Sequence, residues 1–166
     1  MKLRYVGNAP FFSFLSEDEQ QSVSERMHLE HRRSGEILFH KGDESTALYL
    51  VKSGWVRLLT NGGTALASQG PGSLVGETDL FLDQPRSFGA TTVADTELWV
   101  LGREDLIALI ANDLQMGLKL SQAFGSRLAL LDQYVVEQRL RPLPLLIGLG
   151  VEPLKAIAQR LVLVEK

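Results

Sequence analysis

The sequence predicts a mainly β domain flanked by helices, and three observations carry that expectation. Glycines recur at 35, 42, 54, 62, 63, 70, 72, 76 and 89, separating short runs rich in branched and aromatic residues between Leu29 and Leu101. Nothing in that stretch alternates a strand with a long helix, which disfavours a parallel α/β sheet. Longer helical text lies to the two sides of it. Short strands punctuated by turn signals predict an antiparallel sandwich or barrel.

Each element has its own signal. Pro10, Phe11, Phe12, Phe14 and Leu15 form an apolar lead-in, and a helix begins at Ser16. Ser16 with Glu19 fits a capping box, and Glu17 to Glu19 place negative charge where a helix N-terminus favours it. This helix is expected to fade near Met27. The clearest strands are Ile37-Leu38-Phe39, Ala47 to Val51, Trp55 to Leu59, Ala90 to Val93 and Leu98 to Leu101. Asn61-Gly62-Gly63 predicts a hairpin turn, because these residues tolerate positive φ at little cost. Gly102-Arg103-Glu104-Asp105 ends the last strand and opens a short helix over Leu106 to Ala111. A longer helix is predicted from about Asp113 to Arg139. It carries one stripe at Gly117, Ser121, Phe124, Leu128, Leu131 and Val135, and a second at Leu120, Ala123, Leu130 and Tyr134. Apolar character all round, as at Leu128 to Leu131, exceeds what a helix packed on one side needs. One face is therefore expected to cover the β domain. The other is expected to meet a partner, most simply a second copy, making residues 117–138 a homo-oligomer surface. The plainer alternative buries both faces within one chain.

Bulk properties narrow the function classes. The chain has 166 residues, 45% of them hydrophobic and 22% charged, as in ordinary folded domains. A net charge of −3 argues against a nucleic-acid surface covering this chain. Cysteine is absent, which excludes disulfides and thiolate-held metals and fits a reducing cytoplasm. No run approaches the roughly 18–20 apolar residues of a membrane span. Met1 to Tyr5 has no apolar segment behind its charges, so no secretory signal is expected. His28, His31 and His40 are too scattered for a metal triad. Ser87 has no histidine in a nucleophile motif, and the glycines match neither a Walker loop nor a dinucleotide fingerprint. Neither an enzyme, a metal nor a cofactor is expected.

The informative stretch runs from Gly72 to Ser87. Gly76 permits a close backbone approach, and Glu77 stands at the mouth of a short helical turn at about Thr78 to Phe81. The first N–H groups of such a turn favour an anion. Pro85 fixes the approach to Arg86, and an arginine beside that turn welcomes one negative charge. A carboxylate at an anion site makes sense if the ligand also donates a hydroxyl, as a ribose does. The bland alternative pairs Glu77 with Arg86 across an empty turn, a contact worth ~0–1 kcal/mol at a surface.

Gly76-Glu77, Leu80 and Pro85-Arg86-Ser87, at this spacing, resemble the phosphate-binding cassette of cyclic-nucleotide-binding domains of the catabolite activator and protein kinase A regulatory type. The resemblance extends through Ser34 to Phe39, Lys41-Gly42-Asp43, Leu48 to Val51, Ser53 to Val56 and Asp95 to Leu106. It implies an antiparallel double-stranded β-helix, a jelly-roll-like β-roll, over residues 8–140, with an N-terminal helix and a long C-terminal one. It also implies a regulatory module sensing a 3′,5′-cyclic nucleotide, with cAMP favoured. Glu77 would accept the ribose 2′-hydroxyl, Arg86 would neutralise the cyclic phosphate and Ser87 would donate to it. Gly76 and backbone groups near Thr78 would line the pocket. The base end departs from the family's Thr-Ser pair: alignment through Arg127-Leu128 places Leu131 and Asp132 there. Asp132 and Tyr134 are the candidate base contacts. The rival expectation is a ligand-free scaffold domain with the same fold.

Pro142 and Pro144 stop the long helix, and residues 142–166 form a tail. At an offset of 134, Pro10, Leu15, Arg26 and Leu29 recur as Pro144, Leu149, Arg160 and Leu163. A fixed offset suggests the start of a second copy of the domain. A closing helix, or the opening of a DNA-binding helix-turn-helix, remains open. In the last case the chain would be the sensor part of a transcription regulator, with DNA binding beyond Lys166.

Overall fold

The computed structural model describes residues 2–129. Helix α1 (Lys2–Asn8) and helix α2 (Glu17–Arg26) precede strands β1 (His28–Arg32), β2 (Ile37–Phe39), β3 (Ala47–Ser53), β4 (Val56–Leu59), β5 (Ala65–Gln69) and β6 (Leu74–Val75). A one-and-a-half-turn helix α3 (Glu77–Phe81) interrupts the β text. Strands β7 (Gly89–Thr92) and β8 (Thr96–Gly102) and helices α4 (Arg103–Asn112) and α5 (Leu114–Ala129) follow. The strands form two four-stranded antiparallel sheets, ordered β1-β8-β3-β6 and β2-β7-β4-β5. The mainly β fold with flanking helices is therefore present.

Alternation explains how the first sheet is covered. Along β3, Leu48 and Leu50 belong to one buried cluster, while Ala47, Tyr49 and Val51 belong to another. Along β8 the same division separates Trp99 and Leu101 from Leu98 and Val100. Successive side chains leave a strand on opposite faces, so this sheet is packed on both. One face meets the second sheet through Phe39, Val56 and Ala90. The other meets a helical layer through Val6, Phe11, Phe12, Leu15, Val23, Met116, Leu120 and Phe124. Burial on both faces is why β3 and β8 read as continuous apolar runs.

Local signals account for the helix ends. Ser16 Oγ accepts the Glu19 N–H while Glu19 Oε2 accepts the Ser16 N–H at 2.6 Å, a complete capping box. Glu19 also receives the Lys119 ammonium at 2.9 and 2.7 Å, tying α2 to α5. The turn between β4 and β5 closes through Gly63 N–H to Thr60 O at 3.0 Å, and Gly63 alone in it takes positive φ, at 76°. The short helix starts three residues before its expected first residue, at Arg103, because Gly102 already stands in extended geometry as its N-cap.

Four elements were not expected. Helix α1 has no acidic residue in its first turn. Strand β1 reads as charged text, β5 is alanine-rich, and β6 has only two residues. In α5, Gly117, Ser121 and Phe124 of one stripe and Leu120 and Ala123 of the other are all buried within this chain. Over that stretch the plainer alternative holds: both stripes face the domain's own core. The rest of the predicted long helix to Arg139, residues 130–138 of the 117–138 surface, Asp132, Tyr134 and the 142–166 tail lie outside the described residues.

Candidate functional site

The candidate site is built where β6 runs into α3. Gly76, the N-cap of α3, adopts φ 79°, a conformation that favours glycine, and no side chain caps the helix. A Cβ at Gly76 would fall 2.3 Å from Arg86 Nη1. Glycine is therefore required here twice over, by backbone angle and by the arginine lying against it.

Arg86 returns to this point from the far end of the cassette and is only 2% exposed. Nη1 donates to Gly76 O at 2.7 Å and Nη2 to Ala47 O, at the start of β3. The guanidinium carbon lies 4.1 Å from the Phe39 ring centroid, a cation–π contact. Nε is buried and has no hydrogen-bond partner among the described residues. Burial pushes the guanidinium pKa below its usual value, against the fields of Tyr49, Asp79, Glu77 and Asp43. An arginine nonetheless stays charged in a protein, so the site holds a desolvated cation.

The backbone of Arg86 is held as firmly as its side chain. Its N–H donates to Asp43 O and its carbonyl accepts from Gly42 N–H, both at 2.8 Å. Ser45 Oγ donates to Gln84 O at 2.7 Å. The loop between β2 and β3 thus pairs with residues 84–86 in the manner of a short ladder. Asp43 itself is turned back by accepting the His40 N–H at 2.8 Å.

The structure brings Gly76, Glu77, Arg86 and Ser87 into one neighbourhood. Glu77 is buried at the first position of α3, where its charge acts on Arg86. Thr78 is half-buried, and its carbonyl accepts the Leu82 N–H at 3.0 Å. Ser87 is engaged elsewhere: its N–H donates to Asp79 Oδ2 at 3.0 Å and its hydroxyl to Asp79 Oδ1 at 2.5 Å. Asp79, itself buried, was missed by sequence reasoning. The only signal was that Asp79 is one of three acids, with Glu77 and Asp83, in the nine residues before Arg86.

Two residues of this cassette, Phe81 and Asp83, join it to the helical layer. Phe81, the last residue of α3, stacks on Phe124 of α5 at 5.0 Å and meets Phe11 edge-on at 5.5 Å. Asp83, a non-glycine residue at φ 52°, forms an ion pair with Arg103, the first residue of α4. His28 and His31 lie beside Glu30 and Glu97, and His40 lies beside Asp43, whose carbonyl accepts the Arg86 N–H.

An antiparallel roll with a buried cation, a glycine-led turn and an acid at its mouth is the arrangement that the sequence resemblance implied. The family model of the cyclic nucleotide-binding domain matches residues 29–113, and the chain belongs to that family. It is 50% identical over 80 residues to a cyclic AMP receptor protein of Thermus thermophilus, a match spanning 46% of this chain and 37% of that protein. It is 34% identical over 92 residues to a cAMP-dependent protein kinase regulatory subunit of Yarrowia lipolytica, spanning 55% of this chain and 24% of that one. The N-terminal domain of a transcriptional regulator from Streptomyces coelicolor superposes with a TM-score of 0.68 at 30% identity, over 75% of this chain and 91% of that domain. The chain thus spans well under half of these full-length relatives and nearly all of the isolated domain. No helix among the described residues is long and apolar enough to cross a membrane.

Proposed function

We propose that this chain is a regulatory sensor that binds a 3′,5′-cyclic nucleotide, cAMP by preference, and acts without catalysis. The carrying observation is Arg86: a buried guanidinium whose Nε lacks a partner among the described residues, set against a glycine-led turn. An unsatisfied buried donor on a charged group is costly, and a phosphate oxygen would satisfy it. Arg86 then neutralises the phosphate, Ser87 donates to it, Glu77 accepts the ribose 2′-hydroxyl, and Gly76 with the Thr78 backbone lines the pocket. The names of the Thermus and Yarrowia relatives, both of which contain cAMP, support the choice of ligand.

The signal passes from the cassette to the helices through Phe81 on Phe124 and Asp83 on Arg103. A ligand shifts such an equilibrium only by its difference in affinity for the two arrangements. Base contacts from Asp132 and Tyr134 belong to the same proposal, as does output through a homo-oligomer surface within 117–138. It rests on the stripe pattern beyond Ala129, since the described part of α5 is packed inward. Likeness to the Streptomyces domain favours the sensor part of a transcription regulator, working in the cytoplasm, over a protein that ends with this domain.

Titration calorimetry with cAMP, cGMP and 2′-deoxy-cAMP tests the site. Arg86→Ala is expected to remove most of the affinity. Glu77→Ala is expected to weaken it and narrow the gap between ribose and deoxyribose ligands. Unchanged affinity in both variants would reject the assignment. A second reading, a ligand-free scaffold, is favoured by the capture of Ser87 by Asp79. A thermal-shift series separates the two, since a bound nucleotide raises the melting temperature of a sensor and leaves a scaffold unchanged.

A further inference from the structure

The proposed function leaves the chemistry of the cassette residue Asp79 unused. Its two carboxylate oxygens accept both donors of Ser87, backbone N–H and hydroxyl, and its charge acts on Arg86. A carboxylate offers two oxygens sharing one negative charge. So does the anionic edge of a cyclic phosphodiester. Asp79 is 6% exposed and sits on the third residue of α3, so it is built into the cassette and is no passing surface contact.

We infer that Asp79 is an internal stand-in for the ligand's phosphate, holding the Ser87 donors in the unliganded state and setting how tightly a cyclic nucleotide binds. The inference rests on the sensor reading and deepens it. Ligand entry requires the carboxylate to leave Ser87, because two anions cannot share those donors without strong repulsion. The residue therefore stabilises the unliganded cassette and weakens nucleotide binding by the same interaction. A residue with a purely structural role would do otherwise. Its loss would lower both stability and affinity, because a looser cassette binds less well.

The test uses the full chain and the variants Asp79→Ala and Asp79→Asn, the second keeping the shape of the side chain without its charge. The expected result is a melting temperature below wild type without ligand, together with cAMP affinity raised about ten-fold or more. Equal or weaker affinity in a folded variant overturns the inference. If wild type and both variants ignore cAMP and cGMP alike, the sensor reading has failed separately. Inorganic phosphate then decides the role of Asp79, monitored at the Ser87 amide by nuclear magnetic resonance. A shift in Asp79→Ala that is absent from wild type supports the stand-in. Equal responses, including none, overturn it.

Discussion

The two sheets of this domain are built to different specifications. In the first, β3 and β8 lie side by side with side chains buried on both faces, against helices on one side and the second sheet on the other. In the second, β5 forms an edge whose residues Ala65 to Ser68 are all exposed. The same number of strands thus gives one sheet with two doubly buried central strands and one whose edge strand β5 is exposed over four of its five residues. Stability is concentrated in the first, and the cassette is hung between them: Ala47 of β3 receives one end of the Arg86 guanidinium and Phe39 of β2 supports its face.

Substitutions sharpen that contrast. Leu50 is fully buried at the centre of the first sheet, and Leu50→Ala should cost about 3 kcal/mol in urea unfolding. A loss below 1 kcal/mol would break the comparison. The Lys119–Glu19 pair holds the helical layer over that sheet, and Lys119→Met should cost about 1 kcal/mol near neutral pH. Burial alone would raise the Glu19 pKa, but hydrogen bonds from Lys119 and Ser16 outweigh it and hold the carboxyl below the ordinary 4.5. A depressed pKa contributes stability that is present above 4.5 and lost as pH falls through the lower, folded value. Unfolding free energies measured across that range should therefore show a weaker acid loss in Lys119→Met than in wild type. The smallest effect is expected on the open edge: Leu66, 49% exposed on β5, should tolerate Leu66→Ala within about 0.5 kcal/mol.

Legibility in the sequence follows the same division. Strands β3 and β8 announced themselves because double burial makes Ala47 to Val51 and Leu98 to Leu101 unbroken apolar runs. The capping box of α2 was readable because its two partners lie three residues apart, within reach of local pattern. Strand β5 was not, since alanine has little strand preference and an exposed edge needs no alternation. Strand β1 carries His28, Glu30, His31 and Arg32 on a sheet edge, where charge is tolerated and blurs the signal. In the cassette, the resemblance singled out Gly76, Glu77, Arg86 and Ser87 as candidates. It did not show that Arg86 points inward between two carbonyls, or that Ser87 belongs to Asp79. Those pairings join positions eight to thirty-nine residues apart, and only the folded chain brings them together.

The helical layer has a practical consequence for anyone who excises this domain. Val6, Ala9, Phe11, Phe12, Leu15, Val23 and Met27 all precede the stretch from 29 to 113 that matches the family, and Met116, Leu120 and Phe124 come after it. A fragment cut to those borders would strip the lid from Leu48, Leu50, Trp99 and Leu101, leaving a greasy plate that adheres to its own copies. The packed unit is larger than its family match: its buried cluster reaches back to Val6 in the first helix and forward through Phe124.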